Sequence, residues 1–324
     1  MLIERERIEE ASQTVHQWLA PTPLIRSDYL SQKLDANVWL KLETLQPTHS
    51  FKVRGAFNAI AKLNDAQRKR GVVTASGGNH GLAVAYAART SGIAATVLLP
   101  EKTQEVRIRA IRSQQARLLL HGASWDDANI EAQRIARTQG MSYIHPFDDE
   151  HVMAGQGTIV PELLKQIPRV DVLVASIGGG GLLSGLISAA SAAMPEARVF
   201  GVETEGADSM YQSWRAGRIV ELPAITSIAE TLGARKTEQR QFNIITGNAS
   251  ALVTVSDAEA IAALVELLSE EKLLTEPATS CSIAALLCGK VPLAREENVV
   301  VVLCGANVGI GRVAQWISKG TETD

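Results

Sequence analysis

Residues 171–185 read DVLVASIGGGGLLSG, and the order of residue types in that stretch decides the fold. The run VLVASI is apolar on both faces instead of alternating, as in a parallel strand covered by helices on either side. It ends directly in Gly178, Gly179, Gly180 and Gly181, and the pattern that follows is helical. Consecutive glycines leave backbone N–H groups unobstructed beside a positive helix end, an arrangement that suits a phosphate. A close strand–helix packing turn would need only one glycine. Neither familiar phosphate fingerprint is met: GxGxxG read from Gly178 or Gly179 ends on Leu183 or Ser184, and no Lys-Ser/Thr pair follows as a P-loop requires.

The same alternation runs outward in both directions. Strand-like stretches recur at 37–43, 71–76, 94–99, 117–122, 198–203 and 298–304, and helical patterns at 81–92, 125–140 and 257–272. This is an open α/β architecture. The segment YIHPFDD (143–149) breaks the pattern with a proline and reads as a crossing between two α/β lobes.

Bulk properties narrow the function. A chain of 324 residues suggests about two domains, and 46% hydrophobic with 21% charged residues is ordinary for a globular protein. A formal net charge of −3 argues against nucleic acid or an anionic membrane as partner. The charged, amphipathic start MLIERERIEEASQTV resembles no targeting peptide, and no apolar run is long enough to span a membrane. Cys281, Cys288 and Cys304 form neither a CxxC pair nor a disulfide framework, so a reducing cytoplasm is expected. Cys281 and Cys288, seven apart on one helical pattern, read as core.

Three further stretches carry chemistry. In SFKVRGA (50–56), Lys52 stands between Phe51 and Val53, an odd place for a solvated lysine. In VVTASGGNHGLAV (72–84), Ser76, Gly77, Gly78 and Asn79 offer a hydroxyl, two open amides and an amide side chain where a helix starts. That turn can hold a carboxylate, or it can be an ordinary helix cap; His80 beside it reads more readily as structural. In VVVVLCGANVG (299–309), Cys304 ends a buried strand and, taken alone, is as readily core filler. A lysine in apolar surroundings loses its proton more easily, as a Schiff-base lysine must. Lysine, phosphate cup, carboxylate loop and strand-end thiol together suggest pyridoxal phosphate.

At this point the chain resembles the fold type II pyridoxal-phosphate serine/threonine dehydratases, whose fold is tryptophan synthase β-like. The matching segments are SFKVRGA, SGGNHG, HPFDD, IGGGGLLSG, GVETEGADS, ITSIAETLG, EKLLTEPA and LCGANVG. The likeness is greatest to catabolic serine dehydratases. It implies two open parallel-sheet domains: a large cofactor-binding one at 1–47 and 147–324, and a small one at 48–146 carrying the asparagine loop. It further implies that Lys52 carries the cofactor and removes the substrate Cα proton. Phe51 would pack on the ring, Asn79 bond the ring hydroxyl, and Gly178, Gly179, Gly180, Gly181 and Leu182 bind the phosphate. Cys304 would face the ring nitrogen, while Ser76, Gly77, Asn79 and His80 would meet the amino-acid substrate. The implied product is a 2-oxo acid plus ammonia, from L-serine or L-threonine, in a homodimer.

Glu203 opens a segment similar to the family's cation site. Six residues on, where the racemase branch carries an acid for a divalent ion, this chain has Ser209. The resemblance therefore implies K⁺, held by the Glu203 carboxylate and the carbonyls of Ala207, Leu232 and Ala234. Two departures stand out. Gly77 occupies a position that is often alanine or serine, and Thr279, Ser280, Cys281 and Ser282 replace small apolar residues and glycine. The extra hydroxyls would either admit a more polar substrate such as 3-hydroxyaspartate or cap a helix. Competing readings are a β-replacement synthase, a lyase for another β-hydroxy amino acid, a serine racemase-like enzyme, and a catalytically dead binding protein. Val53-Arg54-Gly55 and Ser76 disagree with the synthase pattern, and an intact Lys52 and glycine cup disagree with a dead protein.

Overall fold

The computed structural model describes residues 1–320 and contains two separate sheets. The strands are β1 (Leu24–Arg26), β2 (Asn37–Lys41), β3 (Val72–Ala75), β4 (Ala95–Leu99), β5 (Arg117–Leu120), β6 (Ser142–Tyr143), β7 (Val172–Ser176), β8 (Arg198–Thr204), β9 (Ala251–Val255) and β10 (Asn298–Val302). The larger sheet has the order β1-β2-β10-β7-β8-β9, and the smaller β5-β4-β3-β6. Every pairing is parallel except β1 with β2.

The unbroken apolar strands of the sequence are the buried centre of each sheet. Every residue of β3, β4 and β7 is buried. Along β10, Val300 and Val302 join a core with Leu173, Leu183 and Leu186 on one face of the sheet. Val299 and Val301 join Val172, Val174, Ala278 and Ala284 on the other. This is the period of two expected of a strand, with helices covering both faces. The strands β1, β6 and β9 escaped the sequence reading. Two are only two or three residues long, and β9 is an edge strand of mixed exposure, so none forms a run that stands out.

The helix Lys52–Ala61 begins where one core gives way to the other. Phe51 packs in the core under the large sheet, whereas Val53, Ala56 and Phe57 pack in the core of the small one. The helix crosses Glu150–Gly157 so closely that a Cβ on Gly155 would lie 2.6 Å from the Gly55 Cα. Lys52 is therefore held at the changeover between the two cores.

One expectation fails at the cysteines. Cys281 is buried, but Cys288 is exposed, because it caps the helix Pro277–Leu287 just before the chain turns at Gly289. Among the described residues, no helix is long and apolar enough to cross a membrane.

Candidate active site

The carboxyl ends of β3, β7 and β10 open onto one cavity of about 400 Å³, lined by residues of both sheets and by Lys52. Ligands of open α/β sheets bind at such ends. Lys52 projects into it from the first turn of its helix, donates a hydrogen bond to the Pro146 carbonyl at 2.7 Å, and places Nζ 5.1 Å from the centroid of the Phe51 ring. Burial lowers the amine's pKa from 10.5 to about 8, although Glu276 acts in the opposite sense.

Across the cavity, Gly178 to Gly181 lead from β7 into the helix Gly181–Ala193. The structure supplies reasons for the glycines beyond open amides. Gly180 has φ +94°, a left-handed conformation, and a Cβ on Gly179 would lie 2.2 Å from Cδ1 of Phe147. The loop thus lets the Phe147 ring lie against its backbone while keeping the helix start free of side chains. Leu182 follows, lining the same cavity.

Ser76, Gly77, Asn79 and His80 line the third side. The helix Asn79–Thr90 starts after Gly78 with no side-chain cap, so Ser76 is not its N-cap; the serine hydroxyl accepts from the Gly78 N–H at 3.2 Å instead. Asn79 is held at both ends of its amide: Nδ2 donates to Glu276 at 2.7 Å and Oδ1 accepts from Asn307 at 2.7 Å. His80 is buried with Nε2 3.1 Å from the Ile144 carbonyl, and burial, helped by the Lys52 charge, lowers its pKa to about 3. It is a neutral ring in this site.

Cys304 lies two residues past the end of β10, with its sulfur 3.3 Å from the Ser176 hydroxyl and 3.1 Å from that of Thr279. Burial raises its pKa to about 11, so it stays a neutral thiol. Thr279 also bonds the Gly305 backbone on both sides, accepting from its N–H and donating to its carbonyl. Ser280 donates to the Ala260 carbonyl. Thr279 through Ser282 do not line the cavity, and they cap no helix end, so neither role expected of these hydroxyls is found.

Glu203 leaves β8 buried, with its carboxylate accepting from the backbone N–H groups of Met210 (3.2 Å) and Tyr211 (2.6 Å). It is no surface residue: burial raises its pKa well above the usual carboxylate range. Ser209 donates to the Ala234 carbonyl at 2.9 Å, joining the start of the helix Ser209–Ala216 to the 232–234 turn, and Ala207 lies between β8 and that helix. Among the described residues, no cluster of three or more His, Cys, Asp or Glu could hold a metal ion.

Several cavity residues were missed in the sequence. Pro146 and Phe147 belong to HPFDD, and Glu276 to EKLLTEPA. Glu276 is buried, accepts from Asn79 and Thr231 on Oε1, and leaves Oε2 without a protein partner. An acid beside a proline in an otherwise apolar stretch was the available signal. Trp125 carried none, since a lone aromatic at a helix start is common.

A partly buried amine of lowered pKa, facing a side-chain-free helix start and a neutral thiol, suits an α/β enzyme built for a phosphorylated carbonyl cofactor. The comparisons with known proteins agree. The family model described as pyridoxal-phosphate dependent enzyme matches residues 15–305, and the chain belongs to that family. It is 37% identical over 319 residues to an L-threonine ammonia-lyase of Thermotoga maritima, covering 98% of this chain and 79% of that one. It is 34% identical over 316 residues to a catabolic L-threonine dehydratase of Staphylococcus aureus, covering 97% and 91%. A serine racemase structure from maize superposes with a TM-score of 0.93 at 29% identity, over 99% of each chain. The residues present fit pyridoxal phosphate: Lys52 offers a reactive amine, the Gly178–Gly181 turn an anion cradle, and Cys304 a neutral contact.

Proposed function

We propose that the protein is an ammonia-lyase that eliminates the β-hydroxyl of L-serine or L-threonine, giving pyruvate or 2-oxobutanoate plus ammonia. The observation that carries this reading is the Lys52 amine, lowered to a pKa of about 8, opening onto a cavity whose other walls are the glycine turn and a neutral Cys304 thiol. Bound pyridoxal phosphate supplies an electron sink for the Cα–H bonding pair. Gly178 to Gly181 and Leu182 hold its phosphate through backbone amides at the helix start. Phe51 flanks the ring, and Asn79 keeps an N–H free to bond the ring hydroxyl, since Glu276 and Asn307 fix the direction of its amide.

The loop of Ser76 and Gly77 binds the substrate carboxylate, Asn79 and His80 flank it, and the free Lys52 amine takes the Cα proton. Cys304 does not give up a proton to the ring nitrogen and would not fix a charge there, which would favour elimination: the Cα–H pair forms the Cα–Cβ double bond as the β-hydroxyl departs with the Cβ–O pair. The water lost in elimination returns when the released product hydrolyses, giving a net loss of ammonia only.

The remaining assignments belong to the same proposal. K⁺ sits between the Glu203 carboxylate and the carbonyls of Ala207, Leu232 and Ala234; the hydrogen bonds to that buried carboxylate come from the backbone N–H groups of Met210 and Tyr211. The two sheets are the cores of two domains divided near residues 47 and 147, and the enzyme works as a cytoplasmic homodimer in amino-acid catabolism.

A second reading has one observation in its favour. Lys102 and Arg107 line the cavity, and they would suit a substrate with a side-chain carboxylate, such as 3-hydroxyaspartate. Release of 2-oxo acid from L-serine, L-threonine, D-serine and 3-hydroxyaspartate separates the two. The first reading requires turnover of L-serine or L-threonine to exceed that of the dicarboxylic substrate.

A further inference from the structure

Two residues beyond Lys52, on the same first helical turn, lies Arg54, one of the largest fully buried side chains in the protein. Its guanidinium makes five hydrogen bonds. Nε and Nη2 donate to the two oxygens of Glu43 at 2.7 and 2.8 Å. Nη1 and Nη2 donate to the two oxygens of Glu162 at 2.6 and 2.8 Å, and Nη1 also to the Thr158 hydroxyl at 3.0 Å. Lys41, fully buried as well, donates to Glu162 at 2.6 Å, to the Thr22 carbonyl at 2.8 Å and to Gln166 at 3.0 Å. Two cations therefore face two carboxylates out of contact with water.

The partners come from elements that belong with the large sheet. Lys41 ends β2, Glu43 opens the short turn Glu43–Leu45 after it, and Thr158 and Glu162 stand at the start of the helix Ile159–Gln166. On the other side of Lys52, the Phe51 N–H donates to the Cys304 carbonyl at 3.0 Å. The lysine is thus tied to the cofactor-facing sheet from both sides, although the rest of its helix packs on the small one.

Stability is a poor reason for such a cluster. A buried ion network recovers little beyond the cost of dehydrating it, and hydrophobic replacements are often as stable. Its advantage is direction: a planar guanidinium bound bidentately by two carboxylates has one orientation only. Burial, not the cluster, is the main influence on the protonation of the amine.

We propose that Arg54 is a positioning residue, clamped by Glu43, Glu162 and Thr158 so that the first turn of its helix aims the Lys52 amine at the bound cofactor and substrate. The inference rests on Lys52 as the cofactor lysine.

The test uses Arg54→Lys, which keeps the charge but cannot span both carboxylates, and Thr158→Val, which removes one of the five contacts. Cofactor-free protein is mixed with pyridoxal phosphate, and uptake by the lysine is followed by absorbance across pH. The holoenzyme is then assayed for kcat and KM, with thermal melts alongside. In Arg54→Lys, uptake and kcat fall at least about tenfold with KM little changed, because an ångström of misplacement can cost about a hundredfold in rate. Thr158→Val shows a smaller loss in the same direction, and decides the matter alone if Arg54→Lys does not fold. In both, the pH dependence of uptake keeps its midpoint. Variants that melt lower but take up cofactor and turn over at the parent rate would reduce the cluster to a packing device and overturn the proposal. Cofactor fixed on another lysine of the parent protein would overturn the site itself.

Discussion

The Lys52 amine lies 2.7 Å from the carbonyl oxygen of Pro146, on the segment that leads from the small sheet toward the large one. A carbonyl can only accept, so it orients the amine without deciding whether that amine is protonated. Burial decides it, and the pKa falls from 10.5 to about 8.

The sign of the pH effect follows. Between about 8 and 10.5 the unfolded chain holds a proton on Lys52 that the folded, cofactor-free protein has released. Stability contributed by this group therefore rises with pH through that window and is lost below it, by about 3 kcal/mol in all. Reaction of Lys52 in cofactor-free protein with an amine-specific reagent should reach half its maximal rate near pH 8. A midpoint near that of an ordinary lysine would show that the amine is not desolvated.

Cys304 sits between two hydroxyls as a neutral thiol. Cys304→Ser should keep turnover within about tenfold, since exchanging one neutral hydrogen-bonding group for another is worth about 1 kcal/mol. Cys304→Asp would place a carboxylate opposite the ring nitrogen, favour its protonated form and slow elimination by more than about tenfold. Steady-state kinetics of both variants provide the check, and equal turnover in Cys304→Asp and the parent removes the cysteine from the mechanism.

Gly77 offers no side chain to carry a proton on the face opposite Lys52. L-Serine recovered after long incubation should contain little D-serine, because one base returns a proton to one face only. A Cβ at this position would lie 3.0 Å from Thr103, so Gly77→Ser fits only if that side chain gives way slightly. It should then add slow racemisation, detectable by chiral chromatography. Appreciable D-serine from the parent would mean that a second acid faces the substrate.

Much of this site was legible in the residues, and the limits have physical causes. The glycine turn and the buried strands announce themselves because an apolar run and a loss of side chains are local patterns. Ion pairs such as Arg54 with Glu162 join residues distant in sequence, and no local pattern marks them. The same holds for Glu276, whose meaning depends on Asn79 arriving from the small sheet. Cys288 misled for the opposite reason: helical spacing places it on the buried face, but the helix ends there.

K⁺ or NH₄⁺ should raise the melting temperature relative to Na⁺, by binding a site that exists only in the folded chain. Glu203→Gln should weaken the response, since the buried carboxylate is the one charged ligand assigned to the ion. A protein stabilised by Mg²⁺ or Mn²⁺ and indifferent to K⁺ would show that Ser209 does not set the ion's charge.

Treating the holoprotein with borohydride and mapping the peptides should find the reduced cofactor on Lys52, and Lys52→Ala should bind no cofactor covalently and release no 2-oxo acid. Cofactor fixed on any other lysine, or elimination retained by Lys52→Ala, would contradict the assignment of the site.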